Sequence, residues 1–236
     1  MASKNLIREL QSNRNPEKAK ILQRFFKTGK GQYGEGDIFL GITVPKQREI
    51  AKKYQDLTLH EVAEILNIKI HEQRLTALII LVNKYKQSNE KQKKEIFNFY
   101  LSQTKNINNW DLVDVTCPQI VGDYLFHNQE QKQILYKLAQ SKNLWEKRIA
   151  IISTFYFIRK ENFDDTIAIS EILLNDSHDL IHKAVGWMLR EVGKKDKQTL
   201  IKFLKTHYQN MPRTMLRYSI EKFEEAERKK WLRGEL

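Results

Sequence analysis

HEQRLTALIILVNKYK (71–86) and WEKRIAIISTFYFIRK (145–160) lie on one another with His71 against Trp145, Glu72 against Glu146 and Arg74 against Arg148, the apolar stripe following in step. NWDLVDVTC, with Trp110, falls in the same register between them, and IHKAVGWML (181–189) continues the series. The steps between these segments are 39, 35 and 36 residues. Two helices and their turns fill such a period, the length of HEAT-like helical repeats, which stack into a curved solenoid with a concave face.

The rest of the chain agrees with a helical reading. Only 9 Gly and 4 Pro occur in 236 residues. Apolar residues recur at three- and four-residue spacing, and period-two alternation is absent. Leu22, Phe25 and Phe26 fit one helix face, and Thr58 with Glu61 forms a capping box before Val62, Ile65 and Leu66. Further stripes run through Leu75–Val82, Ile96–Tyr100, Ile134–Leu138, Ile149–Ile158, Ile167–Leu174, Ala184–Val192 and Leu200–Leu204, with a break expected at Pro118 and a last helix pair opened by Pro212. The expected fold is all-α: a single-domain right-handed solenoid of HEAT-like antiparallel helix pairs over residues 1–236, with a basic concave face.

One stretch departs from the pattern. FKTGKGQYGEGDIFLG (26–41) carries five of the nine glycines and reads as a loop. Its spacing is not that of a P-loop. The loop is a connector, or it brings Lys27, Lys30 and backbone amides to phosphate.

Composition narrows the function. With 41 Lys and Arg against 29 Asp and Glu the net charge is +12 and the pI near 9.6. Such an excess draws polyanions, nucleic acid first and an anionic membrane surface second. The single cysteine, Cys117, excludes an internal disulfide, and no apolar run reaches bilayer-spanning length. The amino-terminal MASKNLIRELQSN has no apolar signal core. A cytoplasmic protein is expected.

The residues able to do chemistry cluster around tryptophan. Trp110 and Asp114 stand four apart and share a helix face, so an indole wall adjoins a carboxylate; alternatively Asp114 caps the turn before Pro118 or pairs with a lysine. Trp145 and Arg148 stand three apart, and a guanidinium at the edge of the buried run that follows suits a phosphate or pairs with Asp114. Lys183, Trp187 and Arg190 share one face, two cations flanking an indole, as nucleic acid favours. Gly186, costly within a helix, admits a neighbouring helix or a ligand backbone. Cys117 has no evident base, and the histidines at 60, 71, 127, 178, 182 and 207 lack metal-ligand spacing and read as ordinary surface or core residues. A carboxylate in an aromatic, cationic groove can still stabilise an oxocarbenium-like sugar and orient a water, as glycosidic cleavage requires.

In their order and spacing, WDLVD (110–114), WEKR (145–148) and KAVGWMLRE (183–191), with the stretch at 26–45, resemble the AlkD family of DNA alkylation-repair glycosylases from about residue 5 to 225. The resemblance implies a HEAT-like solenoid holding duplex DNA and excising cationic alkylated purines, 3-methyladenine and 7-methylguanine, without swinging the base out. It implies Asp114 as the catalytic carboxylate, Trp110 and Trp187 against the lesion's deoxyribose and backbone, and Arg148 on phosphate. No metal or cofactor is implied, and the expected partner of a monomeric enzyme is duplex DNA carrying alkylated purines. Asn109 replaces an aromatic found in some members, with a small effect on packing expected. The alternative readings are a non-catalytic DNA-binding solenoid for bent or branched DNA, and a protein-binding scaffold with all three tryptophans in its core.

Overall fold

The computed structural model describes residues 2–235. These are helical almost throughout, and the described residues contain no strand, only an isolated parallel bridge between Ile38 and Ile70. None of their helices is long and apolar enough to cross a membrane. The chain divides into two compact units, one ending at Thr116 and one beginning at Cys117.

The first unit contains α1 (Ala2–Ser12), α2 (Pro16–Phe25), α3 (Val44–Ala51), α4 (Leu59–Leu66), α5 (His71–Gln87), α6 (Glu90–Ser102) and α7 (Trp110–Asp114). Polar side chains fix the helix starts. The Asn15 side chain accepts from the Lys18 amide ahead of Pro16, and Thr58 and Glu61 complete the expected capping box of α4. Every residue of α5 from His71 to Val82 is buried. A helix with no solvent face is the centre of its unit.

The second unit opens at Pro118, where a break is expected. The chain instead passes through a π-helical turn (Pro118–Gly122) into α8 (Asp123–His127). A π turn closes one residue further on than an α turn, so helical winding continues past the proline. There follow α9 (Gln133–Ala139), α10 (Leu144–Arg159), α11 (Asp164–Ile172), α12 (Asp179–Lys195), α13 (Lys197–His207), α14 (Arg213–Ser219) and α15 (Glu225–Arg233). Here α10 is central, buried continuously from Arg148 to Thr154.

The aligned segments each open a helix, α5, α7, α10 or α12. Arg74 and Arg148 also behave alike: each donates to a backbone carbonyl 32 residues later, Arg74 to Asn106 at 3.3 Å and Arg148 to Leu180 at 2.7 Å. The equivalence thus extends from sequence to hydrogen bonding. The α7 segment is the shortest of the four, five residues long.

Gly186 admits a helix. A Cβ at this position of α12 would lie 2.6 Å from the Met215 carbonyl oxygen and 2.5 Å from Tyr218 Cβ on α14. Backbone cannot yield as a flexible side chain does, so the two helices would have to separate. Gly186→Val is expected to destabilise the protein by about 2–4 kcal/mol, measured as a lower urea midpoint at unchanged slope. An unchanged midpoint would show that α14 does not pack as described.

Candidate functional site

The loop after α2 folds back onto the start of α5. Its return limb is tied by main chain, Ile38 N donating to Lys69 O and His71 N to Ile38 O, and by the Glu72 carboxylate, which accepts from the amides of Leu40, Gly41 and Ile42 at 2.9, 2.7 and 3.3 Å. Gly41 adopts φ +83°, and a Cβ there would meet the Asn15 carbonyl oxygen at 2.1 Å, so only glycine permits this crossing. The glycine-rich limb spends its amides internally: Gly29 on Gln32, Gly31 on Glu35 and Gly34 on the Lys27 carbonyl. The side chains of Lys27 and Lys30 are exposed.

At the base of this limb lies a buried polar cluster that sequence reasoning missed. His71, 1% exposed, reaches Asp37 Oδ2 from Nδ1 at 3.1 Å and Asp111 Oδ2 from Nε2 at 2.8 Å. Arg74 Nη2 donates to Asp37 Oδ1 at 2.5 Å, and its Nη1 to the Asn108 side chain and the Asn106 carbonyl. Asn109, wholly buried, donates to Asp37 Oδ2 at 3.1 Å and caps α7 by accepting from the Trp110 amide at 2.9 Å. Asn109 therefore does far more than the small packing effect expected of it. Two carboxylates and two cations cancel, the condition for burying four ionisable groups together.

The cluster holds His71 as imidazolium. Burial alone would push its pKa down; the Asp111 charge and the hydrogen bonds to Asp111 and Asp37 outweigh this and push it up to about 9. For Asp37, burial works upward, but the bond from His71 and the Arg74 charge prevail and hold it below the usual carboxylate range. With both ring nitrogens protonated, His71 donates to both carboxylates.

An aromatic stack rests on this cation. The His71 ring lies 4.5 Å from Phe39 at 22° and 5.1 Å from Phe26 at 39°, Phe39 and Phe26 lie 4.9 Å apart at 24°, and Phe26 lies 5.1 Å from Trp110 at 12°. Trp110, half-buried, is thus the outer ring of four. Phe25 meets it edge-on at 6.0 Å and stays 62% exposed. Trp110 is held at its ring face by Phe26 and at its backbone amide by Asn109. Asp114, one turn further along α7, is half-buried on the same helix.

In the second unit, Arg148 is 5% exposed and anchored on the Leu180 carbonyl. Trp145 is in the core at 8%. Trp187 is half-buried, its Nε1 donating to Glu191 Oε1 at 3.1 Å and its ring 5.8 Å from Phe155, over which Arg159 lies at 4.4 Å. Lys183 pairs with Asp179 at 2.7 Å, and Arg190 pairs with Glu191 and Glu221. Phe155 and Arg159, which extend the Trp187 surface, went unnoticed in the sequence because they sit in an apolar run indistinguishable from core.

A family model described as DNA alkylation repair enzyme matches residues 6–223. The chain belongs to this family. Among solved structures it is similar to "Predicted DNA alkylation repair enzyme from Enterococcus faecalis", at 17% identity and a TM-score of 0.70, covering 90% of this chain and 97% of that one. No curated protein matches the chain. At that identity the structural likeness establishes a shared fold. Family membership agrees with the resemblance drawn from the three tryptophan motifs.

The His71 cluster has a pH signature. A histidine raised from 6.5 to about 9 on folding contributes stability that is fully present below pH 6.5, declines above it and is gone beyond about 9. The full contribution is about 3 kcal/mol. Urea unfolding between pH 6 and 10 is expected to show this decline in the wild type and to lose it in His71→Gln, which starts lower because two carboxylates lose their shared donor. Parallel pH dependences in the two proteins would refute a charged His71.

Proposed function

We propose that the protein is a monofunctional DNA glycosylase that hydrolyses the N-glycosidic bond of cationic alkylated purines, 3-methyladenine and 7-methylguanine, in duplex DNA. Membership of the DNA alkylation repair family supports the biological role. The observation that carries the chemistry is α7, where an indole fixed from two sides stands one turn from a carboxylate.

In this reading Asp114 stabilises the oxocarbenium-like deoxyribose as the bond to the base breaks. The bonding electron pair leaves with the purine and neutralises the positive charge that alkylation placed on it. No general acid is needed, because the leaving group is already activated. Water then adds to C1′ and loses its proton towards the carboxylate. Trp110 and Trp187 pack against the deoxyribose and backbone of the lesion, and Arg148 holds phosphate. Lys183, Arg190, Lys27 and Lys30 contribute further phosphate contacts, and the enzyme works as a cytoplasmic monomer with the base left in the helix.

The test is release of free methylated purine from methylated duplex DNA. Wild type is expected to release it, and Asp114→Asn to do so at least about 100-fold more slowly while still binding DNA. Binding by well-folded wild type without release would favour the non-catalytic DNA-binding reading.

A further inference from the structure

The last turns of α10 carry FYFIRK (155–160), in which two aromatic residues are each followed, four places on, by a cation. That spacing brings each cation next to its ring on the helix surface. The Arg159 guanidinium lies 4.4 Å over the centre of Phe155, and Lys160 Nζ lies 5.8 Å over that of Tyr156. Rings of neighbouring helices flank both pairs: Trp187 of α12 stands 5.8 Å from Phe155, and Phe126 of α8 stands 5.5 Å from Tyr156. The four rings are half-buried and both cations are exposed. A positively charged band backed by rings therefore crosses three helices of the second unit.

These two cations differ from the others around them. Lys183, Arg190, Lys194, Lys195 and Lys197 are each paired with a carboxylate. Neither Arg159 nor Lys160 meets one among the described residues. The adjacent carboxylates are engaged elsewhere. Glu161 adopts φ +57°, which a residue other than glycine adopts at a cost, and pairs with Lys195 at 3.4 Å. Asp123 takes the hydroxyl of Tyr156. The ring beneath Arg159 occupies one face of the guanidinium and leaves its N–H edges free to meet an oxyanion.

The band suits one kind of polyanion. A bilayer surface would need apolar side chains to insert, and none of the exposed large apolar side chains belongs to the band. A phosphodiester strand carries a charge on each nucleotide for the cations, with sugars and bases that pack against rings. The net charge of +12 and membership of a DNA-repair family point the same way. Arg148, Phe155 and Arg159 fall at i, i+7 and i+11, on one face of α10. Roughly 16 Å of helix separates the two arginines, so Arg159 serves a different phosphate from the one assigned to Arg148.

We propose that the end of α10 is a second contact for the DNA backbone, in which Arg159 and Lys160, set on Phe155 and Tyr156, take phosphates. The contact rests on DNA binding and not on base excision.

The test is the affinity of the full chain for a labelled undamaged duplex, followed by anisotropy across a salt series. Arg159→Gln/Lys160→Gln removes the two cations. Lys202→Gln/Lys205→Gln, on exposed positions of α13, removes the same charge elsewhere in the unit. Circular dichroism checks the folding of both. The α10 variant is expected to bind roughly tenfold more weakly at low salt. Its slope of log affinity against log salt is expected to be shallower by about 1.8, for two phosphates at about 0.9 each. The α13 variant is expected to stay close to wild type. An equal fall in both variants, or none in the α10 variant, overturns the proposal, as does a wild type that binds no duplex. Loss of binding to poly-glutamate but not to DNA in the α10 variant assigns the band to an acidic protein segment and overturns it too. Duplex binding lost as expected, with no base released from methylated DNA by wild type, supports the contact and overturns only the glycosylase reading.

Discussion

His71 between Asp37 and Asp111 is the contact on which the first unit depends. It joins three pieces of chain remote in sequence: the end of the glycine-rich loop, the start of α5 and the first turn of α7. No pair of them is held as firmly without it. A neutral imidazole has one N–H and could donate to only one carboxylate, leaving the other acceptor facing a lone pair. The cluster is therefore self-reinforcing. The carboxylates keep the ring charged, and the charged ring keeps both carboxylates in place. Arg74 supplies the second positive charge, and Asn109 completes the coordination of Asp37.

The same ring begins the stack that ends at Trp110. A cation facing Phe39 at 4.5 Å is attracted to the ring's negative face, and Phe26, which touches His71, Phe39 and Trp110, carries the orientation to the indole. The benefit is preorganisation. A half-exposed tryptophan on a five-residue helix would otherwise be poorly fixed, since so short a helix has little intrinsic stability. The second unit uses a different device. Trp187 lies in the interior of a seventeen-residue helix, where backbone order is already assured, and a single bond to Glu191 with contact to Phe155 suffices.

Much of this was legible in the sequence and some was not, for identifiable reasons. The helical class, the positions of α5, α10 and α12, the α4 capping box and the family followed from periodicity and motif spacing, signals set by local chemistry. The alignment of Arg74 with Arg148 reflects a shared bonding pattern that only the structure shows. His71 was read as ordinary because its partners lie 34 residues before it and 40 after it, distances at which no local pattern operates. Asn109 looked like a neutral replacement for the same reason: its carboxylate partner is 72 residues away. Gly186 was read correctly as a point of close approach, but only the position of α14 decided between a helix and a ligand. The roles of Asp114 and Arg148 rest where the motifs put them, as proposals.

The cations nominated for DNA are not equivalent. Lys183 is paired with Asp179 at the surface, where such a pair is worth about 0–1 kcal/mol, whereas Arg190 meets Glu191 and Glu221 from a largely buried position. Exchanging Asp179 for a phosphate oxygen is therefore cheap for Lys183 in the DNA contact proposed for it. Arg148 is held differently. Its guanidinium is buried and donates to the Leu180 carbonyl, and moving it would forfeit that bond. In the role proposed for it, Arg148 meets phosphate only from where it stands and so sets where one phosphate lies, whereas Lys183, at the surface, adapts to the path of the backbone.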